Sequence, residues 1–272
     1  MSSTVEILNL NYLDALLFDI TGSMTFRADM AFADPPYNQG IQYQDDDSKD
    51  KRSNRDYLRM ITASVLTAAG LCNDGACLWW VCPEGWERDI SRLLTCHFGP
   101  RVHRVIWWET FSQYNRFNLT QDYRFLLCHQ LQRQPKVPNM RRMYQRKLTA
   151  NLNNIRIPSR RMELGDKRAA GPRIPGKVWQ FRRLQGTALD RVDWHPAQMP
   201  PELLERLLLG WTAPGQGVVD LFAGSGTMGI QAIRHHRNFL GIDSSRTYCQ
   251  LMLERLKEEG KDHDSTCVQI QS

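Results

Sequence analysis

Three parts of this 272-residue chain carry side chains that could do chemistry. The first is Ala33-Asp34-Pro35-Pro36-Tyr37-Asn38. An exocyclic amine on a nucleobase is a poor nucleophile because its lone pair is delocalised into the ring. The Asp34 carboxylate and the backbone carbonyl of Pro35, aimed by the rigid Pro35-Pro36 pair, can each accept one amine hydrogen. That turns the nitrogen lone pair toward an incoming methyl group. Tyr37 offers a face on which a base pulled out of a helix can stack, worth ~1–3 kcal/mol. The plainer use of the same residues is a proline-stiffened turn with an incidental aspartate.

The second part is DLFAGSGTMG, Asp220 to Gly229, in which Gly224, Gly226 and Gly229 satisfy G-x-G-x-x-G after a strand and before a helix. Glycines there let the backbone turn tightly and approach a ligand, and the helix N-terminus presents unpaired N–H groups to an anion. Asp243, 23 residues after Asp220, ends the next strand, where it can accept hydrogen bonds from both hydroxyls of a ribose. An adenosine-type cofactor follows. Asp220 can pair with an ammonium, which an amino-acid moiety carries and a pyrophosphate does not, so S-adenosylmethionine is favoured over a dinucleotide. A nicotinamide-dependent dehydrogenase using GSGTMG as its fingerprint stays open as the alternative. Only 46 residues follow Gly226, too few for the strands that a nucleotide-binding sheet still needs; these must come from the N-terminal half.

The third part is a charge asymmetry. The chain carries +6 overall, but residues 132–191 hold sixteen Lys or Arg against Glu163, Asp166 and Asp190, leaving that segment at +13 and the remaining 212 residues at −7. With Tyr144, Trp179 and Phe181 interleaved, the segment suits a polyanion: cations for phosphates and flat rings for bases or packing. Arg141, Arg142, Arg146, Lys147, Arg160, Arg161, Arg173, Lys177, Arg182 and Arg183 are the candidate nucleic-acid contacts. A solvated, flexible linker is the competing reading.

These parts need a scaffold. DMAFADPPY, residues 29–37, predicts a short strand halted by its prolines. The spacing of Leu58, Ile61, Val65, Leu66 and Ala69 predicts a helix over 57–69, with Gly70 just past its end. Strands are expected at 76–81, 102–108 and 123–128, with a helix at 86–98. After the Pro-, Gly-, Asn- and Arg-rich stretch, a helix is expected at 202–209, a strand at 217–222, a helix at 227–235, a strand at 239–243 and a helix at 246–258. Strands alternating with helices predict a mostly parallel α/β sheet. The organisation expected is a catalytic half (1–131), a basic target-recognition insertion (132–191) and a cofactor-binding half (192–272).

Composition excludes other classes. Hydrophobic residues at 42% and charged residues at 24% fit a chain that folds around its own core. The uncharged run from Ile61 to Asn73 is shorter than the roughly 20 residues a membrane helix needs, and Asp74 interrupts it. No basic region precedes an apolar stretch at the N-terminus, so a cytoplasmic protein is expected. None of the seven cysteines forms C-x-x-C, and Cys72, Cys77 and Cys82 are five residues apart, so buried thiols are expected and no metal site.

Taken together, DPPYN, FAGSG and their order, with the basic region between them, resemble the beta class of DNA amino-methyltransferases. WHPAQMP, Trp194 to Pro200, is similar to the segment that in this class precedes the cofactor strand. The resemblance covers roughly residues 29–256. It implies a Rossmann-like, S-adenosylmethionine-dependent methyltransferase fold with circularly permuted motif order, and site-specific methylation of a flipped-out base in double-stranded DNA, as in restriction–modification. It implies catalytic roles for Asp34, Pro35, Pro36, Tyr37 and Asn38, and cofactor contacts by Asp220, Phe222, Ala223, Gly224, Ser225, Gly226 and Asp243. The aspartate that heads DPPY implies adenine N6; members that modify cytosine N4 more often carry serine there, although either amine fits an Asp–carbonyl pair. Ala197 and Met199 replace the threonine and lysine of the common form, which leaves Gln198 and His195 as contacts of the third motif. Leu221 stands where proline is frequent. The resemblance also allows a homodimer or a homologous partner subunit, and an inactive DNA-binding subunit is the non-enzymatic alternative. Trp79, Trp80, Trp86, Trp107 and Trp108 could serve an interface, but core packing suits them better.

Overall fold

A computed structural model describes residues 3–12, 25–45, 50–109, 122–132, 155–157, 174–184, 190–262 and 267–271. The elements run β1 (Thr4–Asn9), β2 (Ala28–Ala33), α1 (Asn54–Leu71), β3 (Cys72–Cys82), α2 (Glu87–His97), β4 (Arg101–Trp108), β5 (Tyr123–Gln130), β6 (Val178–Gln180), α3 (Pro201–Trp211), β7 (Gly217–Asp220), α4 (Thr227–Arg234), β8 (Asn238–Asp243), α5 (Arg246–Asp262) and β9 (Cys267–Gln271). The strands form one sheet in the order β6-β4-β5-β3-β2-β7-β8-β1-β9. Pairing is parallel throughout except where β5 runs against β3 and β4. None of the described helices is long and apolar enough to cross a membrane.

Alternation along the strands explains the layers. Met30 and Phe32 of β2 and Cys77, Trp79 and Val81 of β3 face a core built with α3, α4 and α5. Ala31 and Ala33, with Leu78, Trp80 and Cys82, face a second core built with α1 and α2. Because both faces are covered, the central strands read as continuous apolar runs. Trp79 and Trp80 are fully buried on opposite faces, and Trp79 meets Trp211 edge-on at 4.6 Å between ring centroids. Trp107 is buried as well, while Trp108 stays 42% exposed.

Several elements differ from the sequence reading, β6 among them. The first helix starts at Asn54, earlier than its apolar spacing suggests, because the Ser53 hydroxyl accepts from Asp56 N at 3.2 Å and caps it. β1 has no counterpart in that reading: Val5 and Ile7 are buried, and Glu6 between them is buried too, held by the Thr25 hydroxyl at 2.8 Å. β9, the edge strand beside β1, was likewise not expected.

The topology places the site. From the β2–β7 seam, β2 leads through α1 to β3 on one side and β7 leads through α4 to β8 on the other. Right-handed crossovers in opposite directions put α1 and α4 on opposite faces, as observed. The chain therefore diverges above the carboxyl ends of β2 and β7 and leaves a crevice there.

Candidate active site

Phe32 is in register with Asp220 across the seam, and Leu221 N donates to Phe32 O at 2.9 Å. Asp34, two residues beyond Phe32, and Asp220 at its own strand end thus open onto one cavity of about 1110 Å³. Asp34, Pro35, Pro36 and Tyr37 line it from one side; Asp220, Phe222, Ala223, Gly224, Ser225 and Asp243 line it from the other, with His195 and Gln198. Residues almost 190 positions apart in sequence meet in one space because β2 and β7 pair.

On the β2 side, the Tyr37 hydroxyl donates to Asp34 Oδ1 at 2.6 Å. Burial pushes the Asp34 carboxyl up to about 6, while the Tyr37 hydrogen bond and the Arg124 guanidinium pull it back. Burial and the Asp34 charge in turn drive the Tyr37 hydroxyl well above the usual tyrosine value, so it stays a donor. The Arg124 guanidinium lies 5.5 Å from the Tyr37 ring centroid. Asn38, at a φ of 59°, points elsewhere: its Nδ2 donates to Arg52 O at 3.0 Å and its Oδ1 accepts from Arg52 N at 2.7 Å. Both ends of its amide clamp the base of the loop after the prolines, and Asn38 does not line the cavity.

On the β7 side, the three glycines do different things. Gly224 has φ +45°, and a Cβ there would lie 2.6 Å from His195 Nε2; this is the close approach a side chain would block. Gly226 caps α4 in the left-handed region, away from the cavity lining, and a Cβ at Gly229 would strike Phe239 and Leu256 at 2.8 Å. Asp243 spans the turn, accepting from Gly224 N at 2.8 Å and Ser245 N at 2.9 Å, one bond per oxygen, which leaves lone pairs directed elsewhere. Burial holds Asp243 at about 6 and, more strongly, Asp220 at about 8.

The third motif is divided in its roles. Gln198 Oε1 accepts from Val192 N, and its Nε2 donates to Asp190 O and the Thr227 hydroxyl, so its amide braces the start of α4 although it borders the cavity. His195 lies over Gly224 with its ring 4.8 Å from that of Tyr248. Its Nδ1 accepts from Ala197 N at 3.3 Å, which assigns the proton to Nε2, and burial lowers its pKa to about 4. Near neutrality it is an uncharged donor beside the glycine turn.

Several lining residues escaped the sequence reading. The Tyr12 hydroxyl donates to Leu221 O at 2.8 Å and its ring sits 5.2 Å from that of Phe222, a contact across 209 positions. Residues 39–45 form a strap over the cavity, with Asp45 Oδ2 accepting from the Ser245 hydroxyl at 2.7 Å and Thr247 N at 3.1 Å at the start of α5. Glu109, Arg124 and Arg183 close the β4–β5 end. Of the predicted cationic contacts, Arg183 lines the cavity and Lys177 and Arg182 are exposed beside β6. Arg141, Arg142, Arg146, Lys147, Arg160, Arg161 and Arg173 lie outside the described residues. The last part of the basic segment joins the main sheet: β6 pairs with β4, Trp179 is buried, and Trp107 Nε1 donates to Phe181 O at 3.0 Å.

Comparison with known proteins adds three findings. A family model described as DNA methylase matches residues 28–254. The chain is 42% identical to the DNA adenine methyltransferase YhdJ of Escherichia coli (strain K12) over 84 residues; this is 31% of the chain and only 28% of the length of YhdJ. It is 25% identical to the orphan methyltransferase M.BamHII of Bacillus amyloliquefaciens over 251 residues, 84% of the chain and 88% of that relative. The solved M1.HpyAVI–SAM complex shares the fold, with a TM-score of 0.59 at 20% identity, covering 93% of this chain and 98% of the other.

Proposed function

Given that the chain belongs to the DNA methylase family, whose model spans residues 28–254, we propose that it methylates the N6 amine of adenine in double-stranded DNA, using S-adenosylmethionine, on a base swung out of the duplex. The observation that carries this reading is the single cavity shared by Asp34 and the glycine turn. The name of the relative YhdJ supports adenine as the base, and the +13 segment supports DNA as the partner.

The fit of the cofactor rests on the chain's own atoms. The absence of a Cβ at Gly224 lets the His195 ring lie directly against the turn at the cavity wall. Asp220, 3% exposed, gives a buried carboxyl for an ammonium, and Asp243 keeps lone pairs for ribose hydroxyls. Once bound, S-adenosylmethionine supplies a methyl group on a sulfonium, already a good leaving group. The protein then needs only to position and polarise the amine. Asp34 accepts one amine hydrogen, the Pro35 carbonyl accepts the other, and Tyr37 steadies Asp34 through its hydroxyl. The prolines fix the carbonyl direction, since neither can rotate about φ. Gln39, Ile41, Tyr43 and Gln44 of the strap add to the lining of the same cavity.

The test is incorporation of labelled methyl groups into DNA by the purified chain, followed by sequencing with detection of modified bases. N6-methyladenine at a defined site is expected; N4-methylcytosine would overturn the base assignment. Asp34→Ala should abolish methylation while cofactor affinity changes less than about threefold. Normal turnover by that variant would refute the role of Asp34.

A further inference from the structure

Behind the catalytic loop, at the β4–β5 end of the cavity, stands a group of charges that the reaction above does not use. Arg124, 8% exposed, places its guanidinium 5.5 Å from the Tyr37 ring centroid, and Tyr37 holds Asp34 at 2.6 Å. Glu109, 2% exposed, follows β4 on the same edge of the sheet; its Oε2 has no hydrogen-bond partner and lies 3.4 Å from Arg183 Nε. All three border the cavity. Glu109 is thus a buried carboxylate whose charge is met by the Arg183 guanidinium without a closed hydrogen bond, and burying it at the cavity end is costly.

We propose that Arg124 and Glu109 are positioning residues of opposite sign for the catalytic loop, Arg124 set over the ring of the Tyr37 that holds Asp34 and Glu109 set across the same end of the cavity. The proposal rests on the methyltransferase reading for its consequence in turnover, but not for its electrostatics. The groups facing Asp34 are Tyr37 and Arg124, which favour its charged form, Glu109, which disfavours it, and Arg183 beyond, which favours it; Asp220 and Tyr57 complete the surroundings. Burial dominates and holds Asp34 at about 6. A carboxylate is the working form, so activity present above that value is lost as pH falls through it. Removing the Arg124 cation must move this acid limb to higher pH, and removing the Glu109 anion must move it to lower pH.

Two readouts test the pair in the intact chain. The Asp34 carboxyl, identified by the signal lost in Asp34→Asn, is followed by carbon NMR through a pH titration. Arg124→Gln should raise its midpoint by at least about half a unit and Glu109→Gln should lower it, a change of about threefold in the ionised fraction on the acid side. Shifts of the same sign in both variants, or of neither, would overturn the proposal. The second readout is the pH profile of methyl transfer, whose acid limb should move with the NMR midpoints. NMR shifts of the expected signs in a chain that methylates no DNA would uphold the network and refute the methyltransferase reading. A general loss of rate without displacement of the limb would mean that the two residues serve structure only.

Discussion

Cofactor binding should expel a proton near neutral pH, and Asp220 should be its source. Asp220 closes β7 at 3% exposure, and its Oδ1 accepts from Phe222 N at 3.1 Å. Burial, with Asp34 and Asp243 nearby, holds the carboxyl up at about 8 against that one hydrogen bond. At pH 7 a group with such a pKa is roughly nine-tenths protonated. An ammonium brought against it favours the carboxylate, so binding releases up to ~0.9 proton from this residue, and the dissociation constant should fall about fivefold between pH 7 and pH 8. Asp34 and Asp243 sit at about 6 and His195 at about 4, so they are already near their end states at pH 7 and contribute little. The amine of the ligand also titrates in this range, and Asp220→Asn, which keeps the acceptor for Phe222 N, subtracts that contribution. The assay is calorimetric titration with S-adenosylmethionine at pH 7 in phosphate and in Tris, whose ionisation enthalpies differ. Wild type should release close to one proton more than the variant. Equal proton counts, or relative uptake by wild type, would refute the reasoning. The same raised pKa acts on the free protein: the neutral carboxyl stabilises the fold at low pH, and that contribution is lost as pH rises through about 8. The melting temperature of the free wild type should therefore fall between pH 7 and 9 more steeply than that of Asp220→Asn.

Two further substitutions follow from the cavity walls. Gly224→Ala adds a Cβ 2.6 Å from His195 Nε2 at a φ of +45°, a strain of ~1–2 kcal/mol before the ring is displaced. Its melting temperature should drop by several degrees and its affinity for S-adenosylmethionine at least about tenfold, whereas Gly215→Ala, equally left-handed at φ +83° but with no atom within 4 Å of the new Cβ, should lose stability alone. Asp45→Ala removes the acceptor of the Ser245 hydroxyl and Thr247 N and frees the strap from α5. A cap of this kind is worth ~1 kcal/mol, so cofactor affinity measured by calorimetry should weaken about fivefold, with turnover at saturating cofactor little changed.

What could be read in advance divides along physical lines. β2, β7 and β8 are legible because both sheet faces are covered, giving short apolar runs, and because Pro35, Pro36 and the glycine turn stop them sharply. The helices are legible from spacing to within a few residues, and the missed first turn of α1 belongs to a cap, Ser53, outside the apolar pattern. The meeting of Asp34 with Asp220 is a property of β2–β7 pairing across almost 190 positions, and no local pattern encodes it; the expectation came from motif order and from the strands the glycine motif lacked. Asn38 and Gln198 carry motif positions but satisfy backbone groups of Arg52, Val192 and Asp190, a use that their place in a motif does not reveal.

Arg124 makes the same point from the other side. It lies within YRFLLCHQ, a strand whose apolar run argues for core, yet its guanidinium is held at the cavity beside Tyr37. A buried polar group must be matched, and its match can be a distant backbone, a neighbouring charge or a ligand. Type and spacing identify the group but not which of the three answers it; only the fold does. At Asn38 the fold answers with the Arg52 backbone, at Arg124 with the Tyr123 carbonyl and the ring beside Asp34, and at Glu109 Oε2 with the Arg183 guanidinium. That ordering separates the residues whose loss should loosen the loop from those whose loss should move the titration of the catalytic carboxylate.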